Sequence, residues 1–326
     1  MPIWKGFVKK QSKAIITGVA GFAGSYLAEL LLLKGMNVFG LIAPRERLDN
    51  IHSIKSGLEL ERFNIINADR LKNYIKKVKP DFIFHLAAIT SVGKSFDMAQ
   101  KVYAVNFTGS LNLFEAASAS KKLEKLIFIS SSDVYGIFKP ARKILDENQP
   151  LNPVSPYGIS KAAGEYLAQY YVRSRNLPIV RIRSFNHTGP KQSTDFVIPS
   201  FCSQIARIEK SGKSGKIKVG DLSARRDFSD VRDIVYGYYL AAIKGKPGQV
   251  YQLCSGKAVS VEQVLRKLLK MSGFRIDKEV NKKLLRKLEI PILYGSNQKA
   301  GKELGWFCRF KLEETLKATL DFWRQQ

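Results

Sequence analysis

The sequence predicts an α/β protein, a Rossmann-type doubly wound parallel sheet carrying a smaller α/β substrate-binding lobe. Three observations predict it. Short apolar runs alternate with helical stretches up to about residue 185, the βα rhythm of a parallel sheet. A glycine turn, Gly18 to Gly24, lies between the first apolar run and the first helix. A later run ends in the hydroxyls Ser130-Ser131-Ser132, and Tyr157 and Lys161 follow on a helix. In open α/β sheets, ligands bind at that carboxyl edge of the strands.

Taken in order, residues 13–18 read as a short buried strand, followed by Gly18, Gly21, Phe22 and Gly24 and an apolar helix to about Lys34. Residues 36–42 form the second strand, so the glycines sit inside a βαβ unit. There, backbone N–H groups and a helix N-terminus can approach a dinucleotide pyrophosphate. The end of the second strand separates NAD from NADP, because an acid there holds a ribose hydroxyl and arginine accommodates a phosphate. The chain continues Ala43-Pro44-Arg45-Glu46-Arg47, with no acid at the strand tip and two arginines just beyond. This favours NADP(H), with NAD(H) as the alternative. Residues 63–68 read as a third strand with Asp69 at its end, 71–78 as a helix, and 81–86 as a strand leading into Ala87-Ala88. A long helical stretch covers about 97–120, the serine-tipped strand 123–130, the Tyr157 helix 155–175 and a further strand 177–183. These residues, 1–185, make the dinucleotide-binding domain.

Beyond residue 185 the texture changes. Asn186-His187-Thr188-Gly189-Pro190 is loop-like, 197–210 a helix, and 211–218 a basic, glycine-containing turn. Helices are expected at 232–244, 261–271 and 312–324, and a strand at 250–253. Residues 186–220 and 249–326 are assigned to the lobe, with 221–248 returning to the large sheet.

Tyr157 and Lys161, four residues apart, share one helix face. An ammonium fixed beside a phenol is expected to lower its pKa into the range of proton exchange. Ser131 on the same sheet edge can hold a carbonyl or hydroxyl oxygen.

Composition is that of a globular chain of 326 residues, 45% hydrophobic and 25% charged. No apolar run approaches the roughly 18 residues of a membrane span, and the first twelve residues show no secretory h-region. Cys202, Cys254 and Cys308 lie far apart, matching neither a disulfide framework nor a metal site. A cytoplasmic protein without membrane insertion is expected. The formal charge is +26, from 54 Lys and Arg against 28 Asp and Glu. These cations are scattered, with no arginine-rich tail and no basic-aromatic stripe. Attraction to a polyanionic small substrate is therefore expected rather than specific nucleic-acid binding.

The Gly-x-x-Gly-x-x-Gly loop, His85-Leu86-Ala87-Ala88, Ser-Ser-Asp-Val-Tyr-Gly and Tyr157-x-x-x-Lys161, in this order, resemble the extended short-chain dehydrogenase/reductase family, whose members act on nucleotide sugars. The resemblance runs from about Lys13 to Trp323. Phe185-Asn186-His187-Thr188-Gly189-Pro190 and Arg226-Asp227-Phe228 most resemble its GDP-mannose branch of dehydratases and 4-keto reductases, with several phrases closer to the reductases. The resemblance implies Ser131, Tyr157 and Lys161 as catalytic residues. It puts Gly18, Gly21, Phe22 and Gly24 at the cofactor pyrophosphate, Asp69 at the adenine, and Leu86, Ala87 and Ala88 along its path, with Tyr157 and Lys161 also meeting the cofactor. Arg45 would meet the ribose side. Ser91, Ser131, Asp133, Asn186, Arg226 and Arg286 would hold a GDP-sugar, the two arginines at its pyrophosphate. Asp133 stands where dehydratases of the branch carry glutamate. Relatives also imply a homodimer through helices 97–120 and 156–175, with Ala116, Ala117, Ala162, Ala163, Tyr166 and Tyr170 at the contact. The readings carried forward are a GDP-4-keto-6-deoxyhexose reductase, a 4,6-dehydratase or 4-epimerase, and a catalytically idle nucleotide-sensing or RNA-binding protein.

Overall fold

The computed structural model describes residues 11–138, 144–285 and 288–326. In the first half, strands β1 (Lys13–Thr17), β2 (Asn37–Ile42), β3 (Leu58–Arg62), β4 (Phe82–His85), β5 (Lys125–Ser131) and β6 (Ile179–Ser184) alternate with helices. The helices are α1 (Phe22–Leu33), α2 (Ala68–Val78), the short α3 (Val92–Ser95) and α4 (Ala99–Tyr103), then α5 (Gly109–Ser118) and α6 (Pro156–Arg175). A π-type turn, Ala104–Thr108, joins α4 to α5.

The second half begins with β7 (Asn186–Thr188) and α7 (Val197–Ser211), followed by β8 (Gly215–Val219), β9 (Arg225–Arg226) and β10 (Phe228–Asp230). Next come α8 (Val231–Lys244), β11 (Val250–Leu253), β12 (Val259–Ser260), α9 (Val261–Lys270) and β13 (Ile276–Val280). The chain ends with β14 (Ile292–Leu293), α10 (Gln298–Leu304) and α11 (Leu312–Arg324).

Seven strands form one parallel sheet in the order β11-β6-β5-β4-β1-β2-β3. The order reverses between β1 and β4, the crevice where such sheets take ligands. Apolar layers cover both faces. Leu27, Leu31 and Tyr238 pack on one side, and Leu71, Phe114 and Tyr171 on the other. The lobe has its own core, in which Phe201, Ile217, Leu265 and Leu316 meet.

Three expectations are corrected. The third strand is Leu58–Arg62, not 63–68, and the Asn67 side chain caps α2 by accepting the Arg70 N–H at 3.0 Å. Asp69 therefore lies exposed in the first helical turn, not at a strand end. Part of the basic turn expected at 211–218 is a strand: Gly212 ends α7 at φ +68, and β8 then pairs with β13 in parallel. The domain boundary expected at 248 falls inside the large sheet, because β11 hydrogen-bonds to β6 and α10 packs on it. Trp306, just past α10, is buried and donates its indole N–H to the Asp233 carbonyl at 2.8 Å.

Candidate active site

The glycine loop is shaped by backbone approach. Gly18 has φ +73, and a Cβ there would lie 3.0 Å from the Ala87 Cα and N atoms. At Gly24 a Cβ would lie 2.2 Å from the Gly18 oxygen. The loop thus presses on the segment after β4, and Gly21 opens α1 with no side chain over its first N–H groups. That bare helix start beside a close backbone surface fits a dinucleotide pyrophosphate.

A buried polar chain fixes the floor of this groove. The Ser110 hydroxyl donates to the Asn106 carbonyl at 2.5 Å, so it accepts from His85 Nε2–H at 2.9 Å. His85 Nδ1 then accepts from the Thr17 hydroxyl at 2.8 Å, and Thr17 Oγ1 accepts the Ala87 N–H at 3.1 Å. Burial first, and the charge of Lys161 second, drive His85 down to about 3, which keeps the imidazole neutral. Leu86, Ala87 and Ala88 are half-buried along this floor.

At the tip of β2 the arrangement differs from the expectation of no acid. Arg45 is exposed, and Arg47 is held by Asp49 at 2.7 Å. The Glu46 carboxylate folds back to accept the Ala43 N–H at 3.1 Å, so an acid does stand at the strand tip. Arg62, at the end of β3, donates to the carbonyls of Ala43, Pro44 and Glu46 at 2.8, 2.9 and 3.1 Å and fixes this turn. Two residues past β3 stands Asn64, whose side chain accepts the Ile66 N–H at 3.2 Å. With a strand expected at 63–68, Arg62 lies before it and Asn64 inside it, so the sequence marks neither as a strand-end residue.

Ser131 ends β5 opposite Ser184 of β6. Its hydroxyl donates to Asp133 Oδ2 at 3.0 Å and its oxygen accepts the Asp133 N–H at 3.1 Å. Tyr157 follows Ser155, which caps α6 by accepting the Gly158 N–H at 3.0 Å. The phenol is buried next to the Ser131 hydroxyl. The lowered phenol pKa expected from Lys161 is not found. Burial and then the Asp133 charge push Tyr157 up, more than Ser131 pulls it down. Lys161 lies one turn on, buried, lowered by burial to about 8, and donates to the Ile129 carbonyl at 2.7 Å.

Two further residues complete this edge. Asn106, at the π-type turn, accepts the Ile89 N–H at 2.8 Å and donates to the Ser160 hydroxyl at 3.0 Å. Ser160 in turn donates to the Tyr157 carbonyl at 2.7 Å, so Asn106 ties the segment leading to Ser91 to the start of α6. Tyr238 of α8 shares a 2.8 Å hydrogen bond with Ser184 and acts electrostatically on Tyr157. An asparagine inside a helical stretch is the one signal that could have marked Asn106; Tyr238 has none.

The lobe side holds Asn186 on β7, which pairs with β10, and Arg226 on β9. Arg226 is buried, donates to the Arg225 carbonyl at 2.8 Å, and is ion-paired with Glu289. Next to it the buried Asp227 accepts from the Ser255 N–H and hydroxyl at 2.6 and 2.7 Å and from the Gly256 N–H at 2.9 Å. Ser91 caps the short α3 and is half-buried. Arg286 lies outside the described residues. Phe22 of the glycine loop stacks flat on His187, ring centres 5.9 Å apart, so the cofactor loop and the segment of Asn186 touch.

The family profile described as GDP-mannose 4,6 dehydratase matches residues 15–319. The chain belongs to that family. It is 28% identical over 314 residues to the GDP-6-deoxy-D-mannose reductase of Pseudomonas aeruginosa, covering 96% of this chain and 98% of the relative. The structure of RMD from Pseudomonas aeruginosa complexed with NADPH superposes with TM-score 0.82 at 27% identity, over 97% and 99% of the two chains. The UDP-glucose 4-epimerase of Thermus thermophilus, in complex with NAD, gives TM-score 0.86 at 26% identity, over 96% and 99%. The chain is thus an enzyme of the short-chain dehydrogenase/reductase type that works with a nicotinamide cofactor on a nucleotide sugar. Among the described residues no helix is long and apolar enough to cross a membrane.

Proposed function

We propose that this enzyme reduces the C4 ketone of a GDP-4-keto-6-deoxyhexose to a GDP-6-deoxyhexose such as GDP-D-rhamnose, with NADP(H) as cofactor. The observation that carries this reading is the hydrogen bond from Ser131 to Asp133. The carboxylate beside Tyr157 is spent on orienting Ser131, and it is one methylene shorter than the glutamate the dehydratases carry. A high phenol pKa suits the same direction, since Tyr157 stays protonated and gives its proton to the C4 alkoxide. A bound nicotinamide would supply the hydride. Ser131 would turn its hydroxyl proton from Asp133 to the same oxygen, and Lys161, anchored on the Ile129 carbonyl, would meet the ribose of the cofactor. Gly18, Gly21, Phe22 and Gly24 would hold the pyrophosphate, with Leu86, Ala87 and Ala88 beneath it and Asn64 taking the adenine role expected of Asp69. Asn186, Arg226, Arg286 and Ser91 would hold the GDP-sugar, with the two arginines at its diphosphate.

The test mixes the enzyme with NADPH and GDP-4-keto-6-deoxymannose. Loss of NADPH absorbance matched by one 6-deoxyhexose per turnover is expected. Conversion of GDP-mannose to the keto sugar with no net loss of NADPH overturns the reading and makes the chain a 4,6-dehydratase, which the family's name favours.

Arg45 supports NADP(H), whereas Glu46 at the strand tip is the observation on the side of NAD(H). Comparing Arg45→Ala with Glu46→Gln separates them. The first raises KM for NADPH more than for NADH, and the second lowers KM for NADPH; the opposite order overturns the preference.

A homodimer is proposed through the exposed Tyr166 and Tyr170 of α6. Ala116, Ala117 and Ala162, expected at that contact, are instead buried within the subunit. Light scattering that shows a dimer for the wild type and a monomer for Tyr166→Lys/Tyr170→Lys checks it; a wild-type monomer refutes it.

A further inference from the structure

The strongest unexplained feature lies away from the cleft, on the first half of β6. Arg181 pairs in register with Val250 of β11, three residues before Ser184, which faces Ser131. It is 7% exposed, yet its charge is poorly answered. Its Nε has no hydrogen-bond partner. Its Nη2 donates to the Gly248 carbonyl at 2.8 Å, and its Nη1 stands 3.7 Å from the Glu165 carboxylate, beyond hydrogen-bond length.

Glu165 is already taken by a neighbour. Arg183 donates to it three times, at 2.8 to 3.2 Å, and Ser130 donates at 2.6 Å. One carboxylate therefore serves two buried guanidiniums and satisfies one of them. Burial lowers Arg181 first and the Glu165 charge offsets only part of it, while Arg183 and then Arg173, exposed on α6, press it down further.

These groups are not sealed in. Gln169, Val172, Arg173, Arg181 and Gly248 line an open pocket of about 280 Å³ between α6 and the sheet. A buried cation with an incomplete hydrogen-bond set costs free energy that a seated anion relieves. The planar, multi-donor guanidinium also matches the oxygens of a tetrahedral oxyanion. We propose that this pocket is a second anion site, distinct from the catalytic cleft, that takes a small oxyanion of the phosphate class between Arg181 and Arg173 with Gln169 as a neutral donor.

The test titrates the full chain with sodium phosphate against sodium chloride at constant ionic strength and follows Tm. The wild type and Arg226→Gln, which removes the cleft arginine, are expected to show the same saturable rise. Arg173→Gln binds at least tenfold more weakly. Arg181→Met shows no rise and is at least as stable as the wild type without phosphate, because it loses an unanswered buried charge. If Arg181→Met fails to fold, Arg173→Gln decides, since its side chain is exposed. An equal rise in all variants, a rise lost in Arg226→Gln instead, or no rise in the wild type overturns the proposal. None of these outcomes depends on which sugar nucleotide the cleft turns over.

Discussion

Strands β5 and β6 and helix α6 carry two buried polar clusters, and the two follow opposite electrostatic rules. In the first, Glu165, Arg183, Ser130, Tyr135 and Gln252 are knitted together. Arg183 donates to Glu165 and, at 2.7 Å, to the Tyr135 hydroxyl, which passes its own proton to the Asp146 carbonyl at 2.9 Å. Burial alone would lower Arg183, but the hydrogen bonds and charge of Glu165 outweigh it and push the guanidinium up. In the second cluster, one turn back along α6, burial wins. Tyr157 is pushed up and Lys161 down, each toward its neutral form. The paired cluster fixes the fold. The underpaired one is where proton chemistry is available, the pattern expected of an active site.

The largest expected effect breaks the first cluster. Glu165→Ala leaves the buried Arg183 without its carboxylate, which costs about 3–5 kcal/mol by the usual outcome of breaking a buried ion pair. Urea unfolding measures it. A loss under about 1 kcal/mol would mean that the network is not what holds α6 to the sheet.

The two tyrosines sharpen the contrast. Tyr135→Phe removes the acceptor of Arg183 and Gln252, so stability falls by about 1–3 kcal/mol while turnover of the folded fraction is kept. Tyr157→Phe removes a buried hydroxyl beside Ser131 and outside the paired network, so stability changes by about 1 kcal/mol or less, while kcat falls by ~10²–10⁴-fold. Paired measurements of kcat and unfolding free energy on both variants decide. The same profile from both would erase the distinction between the clusters.

How much of this was legible in the sequence follows the range of the interactions. The glycine loop, the serine-tipped strand and the start of α6 are written locally, in turn glycines, apolar runs and the Ser155-Pro156 cap, and their elements lie within a few residues of where the pattern puts them. The edge strand β3, Leu-Glu-Leu-Glu-Arg, alternates as a half-exposed strand does, but the more apolar run beyond it drew the assignment and carried Asp69 with it. Strand β8 hides in a lysine- and glycine-rich stretch because its partner β13 lies some sixty residues on. Arg226 with Glu289, and Tyr157 with Tyr238, are joined only by the fold. A pattern that names one partner cannot name the other.

The smallest expected effect is a pH dependence that belongs to the underpaired cluster alone. Lys161 titrates near 8 in the folded chain, lowered by burial, against the ordinary 10.5. Below about 8 both folded and unfolded chains carry this proton, so the burial cost is fully present. Between about 8 and 10.5 the unfolded chain binds the proton and the folded chain has released it. Stability from this site therefore rises with pH across that window, by at most about 1.4 kcal/mol per unit. Lys161→Met has no such group, so the stability advantage of the variant over the wild type shrinks as pH rises from 8 to 10. Glu165→Gln, which acts on the paired cluster, shows no matching slope in that window. The loss of the ammonium also removes the charge held at Ile129, so kcat/KM falls above pH 8 while the fold gains stability. A stability difference flat from pH 7 to 10 would place the Lys161 proton outside that window and leave the two clusters electrostatically alike.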